Sequence, residues 1–206
     1  MTERYQDYVI KDGQFVGRFE EMYKKFSDPW EQTTREQFDS SKALILNSCQ
    51  KLRADHGVLK TLEIGCGFGA LSQKLGDLGF EAFGTDISET AIQTARKRHR
   101  TPEFIVGDFL DFDIYRRLDP DVFIMAEITW YVLPQLREFI SYLRKEHSGK
   151  FLIHTLVVYA ENVQKYGKEY FTNLPEIMAY YGLSYLEYGE IWSSGSTGRT
   201  YFCGRI

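Results

Sequence analysis

Cysteine and proline are scarce in this chain, three and five among 206 residues. The cysteines, Cys49, Cys66 and Cys203, are odd in number and scattered, so they describe neither a disulfide framework nor a metal site. Reduced thiols fit the cytoplasm, the expected location. No apolar run approaches the ~20 residues of a membrane span. The opening Met-Thr-Glu-Arg-Tyr-Gln-Asp has no apolar stretch behind a basic start, so no secretion signal is expected. An excess of positive charge is lacking as well. Twenty-five Lys and Arg stand against 29 Asp and Glu, the wrong balance for a non-specific grip on a phosphate backbone. Small molecules are therefore favoured as partners over nucleic acid or membrane, for a monomer or a homodimer. Metal-ligand spacing is lacking, so no metal is expected, and there are no internal repeats or low-complexity tracts. What is present is core material: 43% hydrophobic residues, enough for one well-buried domain over 1–206.

Residues 1–60 carry no strand pattern and read as a helical cap. Phe15, Phe19, Met22, Tyr23 and Phe26 recur at helical spacing, as do Phe38, Ile45, Cys49 and Leu52 beyond a break at Ser27-Asp28-Pro29-Trp30. From residue 61 short apolar runs alternate with helical spacings, the mark of a mainly parallel α/β sheet. Strands are expected at Thr61–Ile64, Glu81–Thr85, Glu103–Gly107, Asp121–Ala126 and Phe151–Val158, with Ser88 capping the helix after the second. Two more, near Leu183–Trp192 and Arg199–Arg205, flank a Gly/Ser turn and read as an antiparallel hairpin. The expectation is an α/β, Rossmann-like, seven-stranded sheet with an antiparallel C-terminal hairpin behind a helical N-terminal cap. The basic run Arg96–Arg100 ends a helix, where cations complement the dipole.

The central stretch is Thr-Leu-Glu63-Ile-Gly65-Cys66-Gly67-Phe-Gly69-Ala-Leu. A strand, a glycine turn and a helix start expose backbone N–H groups to a ligand, and glycine allows both positive φ and close approach. Gly65, Gly67 and Ala70 also fit the dinucleotide fingerprint, so an NAD(P)-dependent oxidoreductase competes with an S-adenosylmethionine enzyme, and a non-catalytic cofactor-binding module is a third reading. Glu63 favours the second cofactor, because a carboxylate there can meet an amino group but repels a pyrophosphate. The helical cap and closing hairpin point the same way. Asp86, ending the second strand, suits ribose hydroxyls in either case, and Asp108 with Phe109 suits an adenine.

Residues 61 to about 131 resemble the core of the class I S-adenosylmethionine-dependent methyltransferases. Glu63-Ile-Gly-Cys-Gly-Phe-Gly is similar to that family's first motif, Gly84-Thr-Asp86-Ile87-Ser88 to its second, Gly107-Asp108-Phe109 to its third and Met125-Ala-Glu127-Ile128-Thr-Trp130-Tyr131-Val to its fourth. The resemblance implies that the glycine loop (Gly65, Cys66, Gly67, Gly69) and Glu63 hold the amino-acid end of the cofactor. It implies Asp86 with Ile87 at the ribose, Asp108 and Phe109 at the adenine, and Glu127 with Trp130 near the sulfonium and substrate. The segment from Glu21 to Gln32, with Asp28-Pro29-Trp30 at its centre, resembles that of nodulation-type N-methyltransferases and methyltransferases of surface-polysaccharide pathways, where it closes the site. Methyl transfer to O or N of a small polar metabolite follows, with a sugar nucleotide, an amine or a phosphorylated intermediate as candidates.

In-line transfer from an activated donor asks the protein to align the acceptor, exclude water and take up a proton. Trp30, Trp130 and Tyr131 are the expected aromatic wall facing a cationic donor. His154, alone in an apolar strand, is the first candidate base and Glu127 the second. Tyr159 and Tyr170, in a polar aromatic stretch, are further acceptor-binding candidates, and His56, His99 and His147, expected in surface turns or helix ends, have no role.

Overall fold

The computed structural model describes residues 4–31, 40–160, 163–192 and 196–206. Phe38, Gln32 and the Ser193–Gly195 part of the Gly/Ser turn lie outside the described residues.

The N-terminal cap contains a 3-10 turn (Tyr5–Tyr8), two short paired strands, β1 (Ile10–Lys11) and β2 (Gln14–Phe15), and the helices α1 (Phe19–Lys25) and α2 (Ser40–His56). The β1–β2 hairpin corrects the expectation of helix alone. Asp12 and Gly13 at its tip both have positive φ, 51° and 77°, as a two-residue Asp-Gly hairpin turn requires. Phe15 accordingly lies on β2 and not on the helix that carries Phe19.

The core alternates β3 (Lys60–Ile64), α3 (Ala70–Asp77), β4 (Glu81–Asp86), α4 (Glu89–Arg98), β5 (Glu103–Val106), α5 (Phe112–Leu118), β6 (Val122–Ala126), α6 (Leu136–Glu146) and β7 (Phe151–Tyr159). It then closes through α7 (Leu174–Tyr181), β8 (Ser184–Trp192) and β9 (Thr197–Arg205). The seven strands pair in the order β5-β4-β3-β6-β7-β9-β8. The first five run parallel, β9 is antiparallel to β7, and β8 is antiparallel to β9. This is the expected α/β, Rossmann-like sheet with its antiparallel hairpin. Ser88 caps α4, accepting from the Ala91 N–H at 3.1 Å. Helix α5 was not foreseen; its apolar contacts, Ile114, Tyr115 and Leu118, occupy only two turns before Asp119 ends it in the left-handed region.

Helices cover both faces, which explains why the strands read as continuous apolar runs. On one face Leu62, Phe123, Met125, Leu152 and Leu156 pack with Tyr115, Phe139 and Tyr181 of α5, α6 and α7. On the other, Ile124, Ile153, Tyr201 and Cys203 pack with Ile45, Leu71 and Leu75 of α2 and α3. His147, expected at the surface, is buried at the end of α6 with its ring against Phe123. The basic run folds back on its own unit: Arg96 donates to the Phe104 carbonyl at 2.6 and 3.0 Å, and Arg98 lies over the Phe68 ring. Among the described residues no helix is long and apolar enough to cross a membrane, and no cluster of side chains could hold a metal ion.

Candidate active site

Parallel strands end together, and their loops open one crevice where the strand order reverses. Here the C-terminal ends of β3, β4, β5, β6 and β7 line a cavity of about 690 Å³, roofed by the N-terminal cap. Its size suits a cofactor with a small partner.

The glycine turn forms one end. Gly65, Gly67 and Gly69 all have positive φ, and a Cβ on Gly65 would lie 2.6 Å from the Ile128 side chain. Gly65 lines the cavity, whereas Cys66, Gly67 and Gly69 shape the turn behind it. The buried Cys66 donates its N–H to the Thr85 carbonyl at 2.8 Å, tying the turn to β4. Glu63 reaches under the turn and accepts from the Ser72 N–H (2.9 Å) and hydroxyl (2.5 Å) in the first turn of α3. Burial pushes its carboxyl up to about 7, against the lowering effect of Ser72 and Lys42. Asp86 accepts from the N–H groups of Ser88 and Gly67, both at 2.9 Å, and burial pushes it up to about 6. Ile87 lines the cavity beside it, largely exposed. Asp108 lies at the end of β5, accepting from the Leu110 N–H at 3.1 Å, and Phe109 packs its ring on Phe139.

The other end belongs to β6 and β7. Glu127 follows β6 with φ of 63°, unusual for a residue with a side chain and a form of strain that collects at functional sites. Its carboxylate accepts from the Val157 N–H at 2.5 Å, just past the last β6–β7 pair, Ala126 and Thr155. It also accepts from the Ser41 hydroxyl of α2 at 3.2 Å. Tyr131 and Tyr159 feel the Glu127 charge, which with burial raises both phenols. Trp130 is fixed by its indole N–H to the Val157 carbonyl at 2.7 Å. From the cap, Trp30 donates to the Tyr23 hydroxyl at 2.9 Å and lies 5.8 Å from the Tyr131 ring. Trp30, Trp130, Tyr131 and Tyr159 all line the cavity.

Two further expected site residues, His154 and Tyr170, do not reach it either. His154 is fully buried on the opposite face of β7: successive side chains alternate, so Thr155, Val157 and Tyr159 face the cavity while Leu152, His154 and Leu156 face α7. His154 stacks 4.6 Å from Phe202 and its Nε2 meets the Thr129 hydroxyl at 2.7 Å. Burial alone brings its pKa down to about 3, so it stays neutral. This corrects the choice of His154 as first base, since a ring sealed behind the sheet has no route to a proton in the cavity. Tyr170 likewise faces Tyr180 at 6.2 Å and lines no part of the cavity. The sequence reading missed Ser41, Lys42, Ser72, Thr155 and Arg199. Thr155 had a usable signal, the strand period; Ser41, Lys42 and Arg199 enter from elements remote in the chain.

Residues 61–146 match a family model described as a methyltransferase domain. The whole architecture is the class I S-adenosylmethionine-dependent methyltransferase fold. Among solved structures it is similar to the N-methyltransferase NodS from Bradyrhizobium japonicum in complex with S-adenosylhomocysteine. The TM-score is 0.62 and the identity 17%, over 90% of this chain and 97% of that one. A S-adenosylmethionine-dependent methyltransferase from Clostridium acetobutylicum gives 0.63 and 16%, over 89% and 98%. The bifunctional kinase-methyltransferase WbdD gives 0.65 and 18%, over 86% of this chain and 42% of that one. No curated protein matches the sequence.

Proposed function

We propose that this chain transfers a methyl group from S-adenosylmethionine to an oxygen or nitrogen of a small polar acceptor such as a sugar nucleotide, an amine or a phosphorylated intermediate. The observation that carries the reading is the charge layout of the cavity: Glu63, Asp86 and Asp108 on three strand ends, and an aromatic wall beyond them. The donor set suits this cofactor. A carboxylate beside the glycine turn fits an amino group, an acid ending β4 fits ribose hydroxyls, and Asp108 beside Phe109 fits an adenine amine and ring. Gly65 combines positive φ with the Ile128 side chain packed where a Cβ would stand, which keeps the backbone of the turn on the cavity wall. A nicotinamide dinucleotide is disfavoured because Glu63 already takes the Ser72 N–H, one of the α3 groups a pyrophosphate would use, and adds negative charge there.

When bound, the cofactor supplies a methyl group on a positively charged sulfur. The chain's part is to hold, orient and dry the reacting atoms. Trp30, Tyr131 and Trp130 offer ring faces that tolerate both the cation and its neutralisation. Trp130 keeps its orientation through Val157, and the cap excludes water. Glu127, held beside the aromatic wall by Ser41 and Val157, would take up the proton that the acceptor gives up on methylation. The test is calorimetric titration with S-adenosylhomocysteine and NADH, followed by turnover of S-adenosylmethionine on a panel of amines, sugar nucleotides and phosphorylated metabolites. Binding of the first ligand alone, and turnover with one acceptor class, is expected; binding of NADH alone refutes the proposal.

A further inference from the structure

Among the described residues two cations line the cavity, Lys42 and Arg199. Lys42 acts on Glu63 at the glycine-turn end. Arg199 stands opposite Val157 in the β7–β9 register, and its guanidinium has no hydrogen-bond or ion-pair partner among the described residues. Its placement follows from the strand period. Cys203 and Tyr201 belong to the face of β9 that α2 covers, and Tyr201 is tied to Ser48 of that helix. Arg199 is the next residue of the same stripe, beyond that cover, where Ser41 in the first turn of α2 also lines the cavity. The positive pole of this 17-residue helix therefore meets the same region. Thr155, fully buried, lines the floor there with its hydroxyl unmatched among the described residues.

We propose that the methyl acceptor carries an anionic group, a carboxylate or a phosphate, that pairs with Arg199 at the β7–β9 end of the cavity while its methyl-receiving atom lies beside Glu127. The inference rests on the methyl-transfer reading and names the acceptor class for it. A guanidinium presents a planar fork that matches either anion with two parallel hydrogen bonds. The layout also orders the two ligands. Glu63, Asp86 and Asp108 draw a cationic cofactor to one end, and the same acids turn an anionic acceptor toward the other.

The test uses the full chain saturated with S-adenosylhomocysteine and titrated with inorganic phosphate, acetate and, as the neutral control, acetamide, followed by calorimetry and tryptophan fluorescence. The wild type should bind both anions saturably and not acetamide. Arg199→Gln should bind them about tenfold more weakly, Arg199→Lys should recover part of the loss, and S-adenosylhomocysteine affinity should stay within about twofold in both. In the acceptor panel, Arg199→Gln should raise KM for the active acceptor about tenfold and leave kcat near its original value. Equal anion binding by wild type and Arg199→Gln overturns the inference. So does a wild type that binds S-adenosylhomocysteine but no anion, which leaves methyl transfer standing with a neutral acceptor. A wild type that fails to bind S-adenosylhomocysteine removes the methyl-transfer reading and this one with it.

Discussion

Glu63 gives the most exacting prediction, because its proton should report the arrival of the cofactor. In the free protein burial lifts its carboxyl to about 7 and that of Asp86 to about 6. Binding a ligand with an ammonium group at Glu63 requires the ionised carboxylate. At pH 8 about 90% of Glu63 is ionised, and at pH 6 about 10%, a loss of roughly tenfold in affinity or about 1.4 kcal/mol. Asp86 adds roughly a further twofold over the same interval. Affinity for S-adenosylhomocysteine should therefore rise ~20-fold from pH 6 to pH 8. Calorimetry in buffers of different ionisation enthalpy should show release of about 1.4 protons at pH 6, about 0.9 from Glu63 and about 0.5 from Asp86. Glu63→Gln should bind weakly at every pH and retain only the shallow Asp86 slope. The sign for stability runs the other way. A carboxyl whose pKa is raised by folding favours the folded state below its ordinary value of 4.5, and that contribution is lost as pH rises through about 7, to the extent of about 3 kcal/mol. Urea midpoints of the free protein should thus fall more steeply between pH 5 and 8 than those of Glu63→Gln. A pH-independent affinity, or the same steep slope in Glu63→Gln, would refute the assignment of Glu63 to the amino group.

Other outcomes can be checked alongside. Gly65→Ala, forced to positive φ with its methyl 2.6 Å from Ile128, should lose about 1–3 kcal/mol in urea denaturation and bind S-adenosylhomocysteine far more weakly. His154→Ala should lower stability by about 2–4 kcal/mol through the space left between Phe202 and Tyr181, yet retain turnover per folded molecule; lost turnover in a fully folded variant would restore His154 to the chemistry. Glu20 fastens α1 to α4 through the Ser88 hydroxyl (2.6 Å) and the Thr90 hydroxyl (2.7 Å). Against a burial effect that raises it, these bonds hold its carboxyl down to about 2, so the fastening is complete above the ordinary value of 4.5 and lost as pH falls through about 2. Glu20→Ala at neutral pH should speed amide exchange in α1 while leaving β3–β7 unchanged.

What could be read from the sequence was whatever is written locally. The glycine turn, the Ser88 cap and the five parallel strands depend on neighbours a few residues apart, and they stand within a residue or two of their expected limits. The Asp12-Gly13 hairpin is equally local, but the aromatics around it fall at helical spacing and hide its turn signal. The cavity is different in kind. Ser41 meets Glu127 across 86 positions, and Arg199 meets Val157 through the returning strand, neither of which any window of sequence contains. His154 went astray for a third reason. An apolar run covered on both faces has no polar side to show which way each residue points, and the lone imidazole drew attention from Thr155, its neighbour on the open face.

The alternation along β7 has a consequence for how this protein can change. Odd-numbered positions from Thr155 to Tyr159 meet whatever the cavity holds, while even-numbered ones hold α7 and Phe202. The lining of the cavity and the packing of the core are thus written on interleaved letters of one strand, so that each can drift with little cost to the other. A library confined to 155, 157 and 159 should yield altered acceptor ranges among mostly folded members, whereas the same diversity at 154, 156 and 158 should yield mostly unfolded chains.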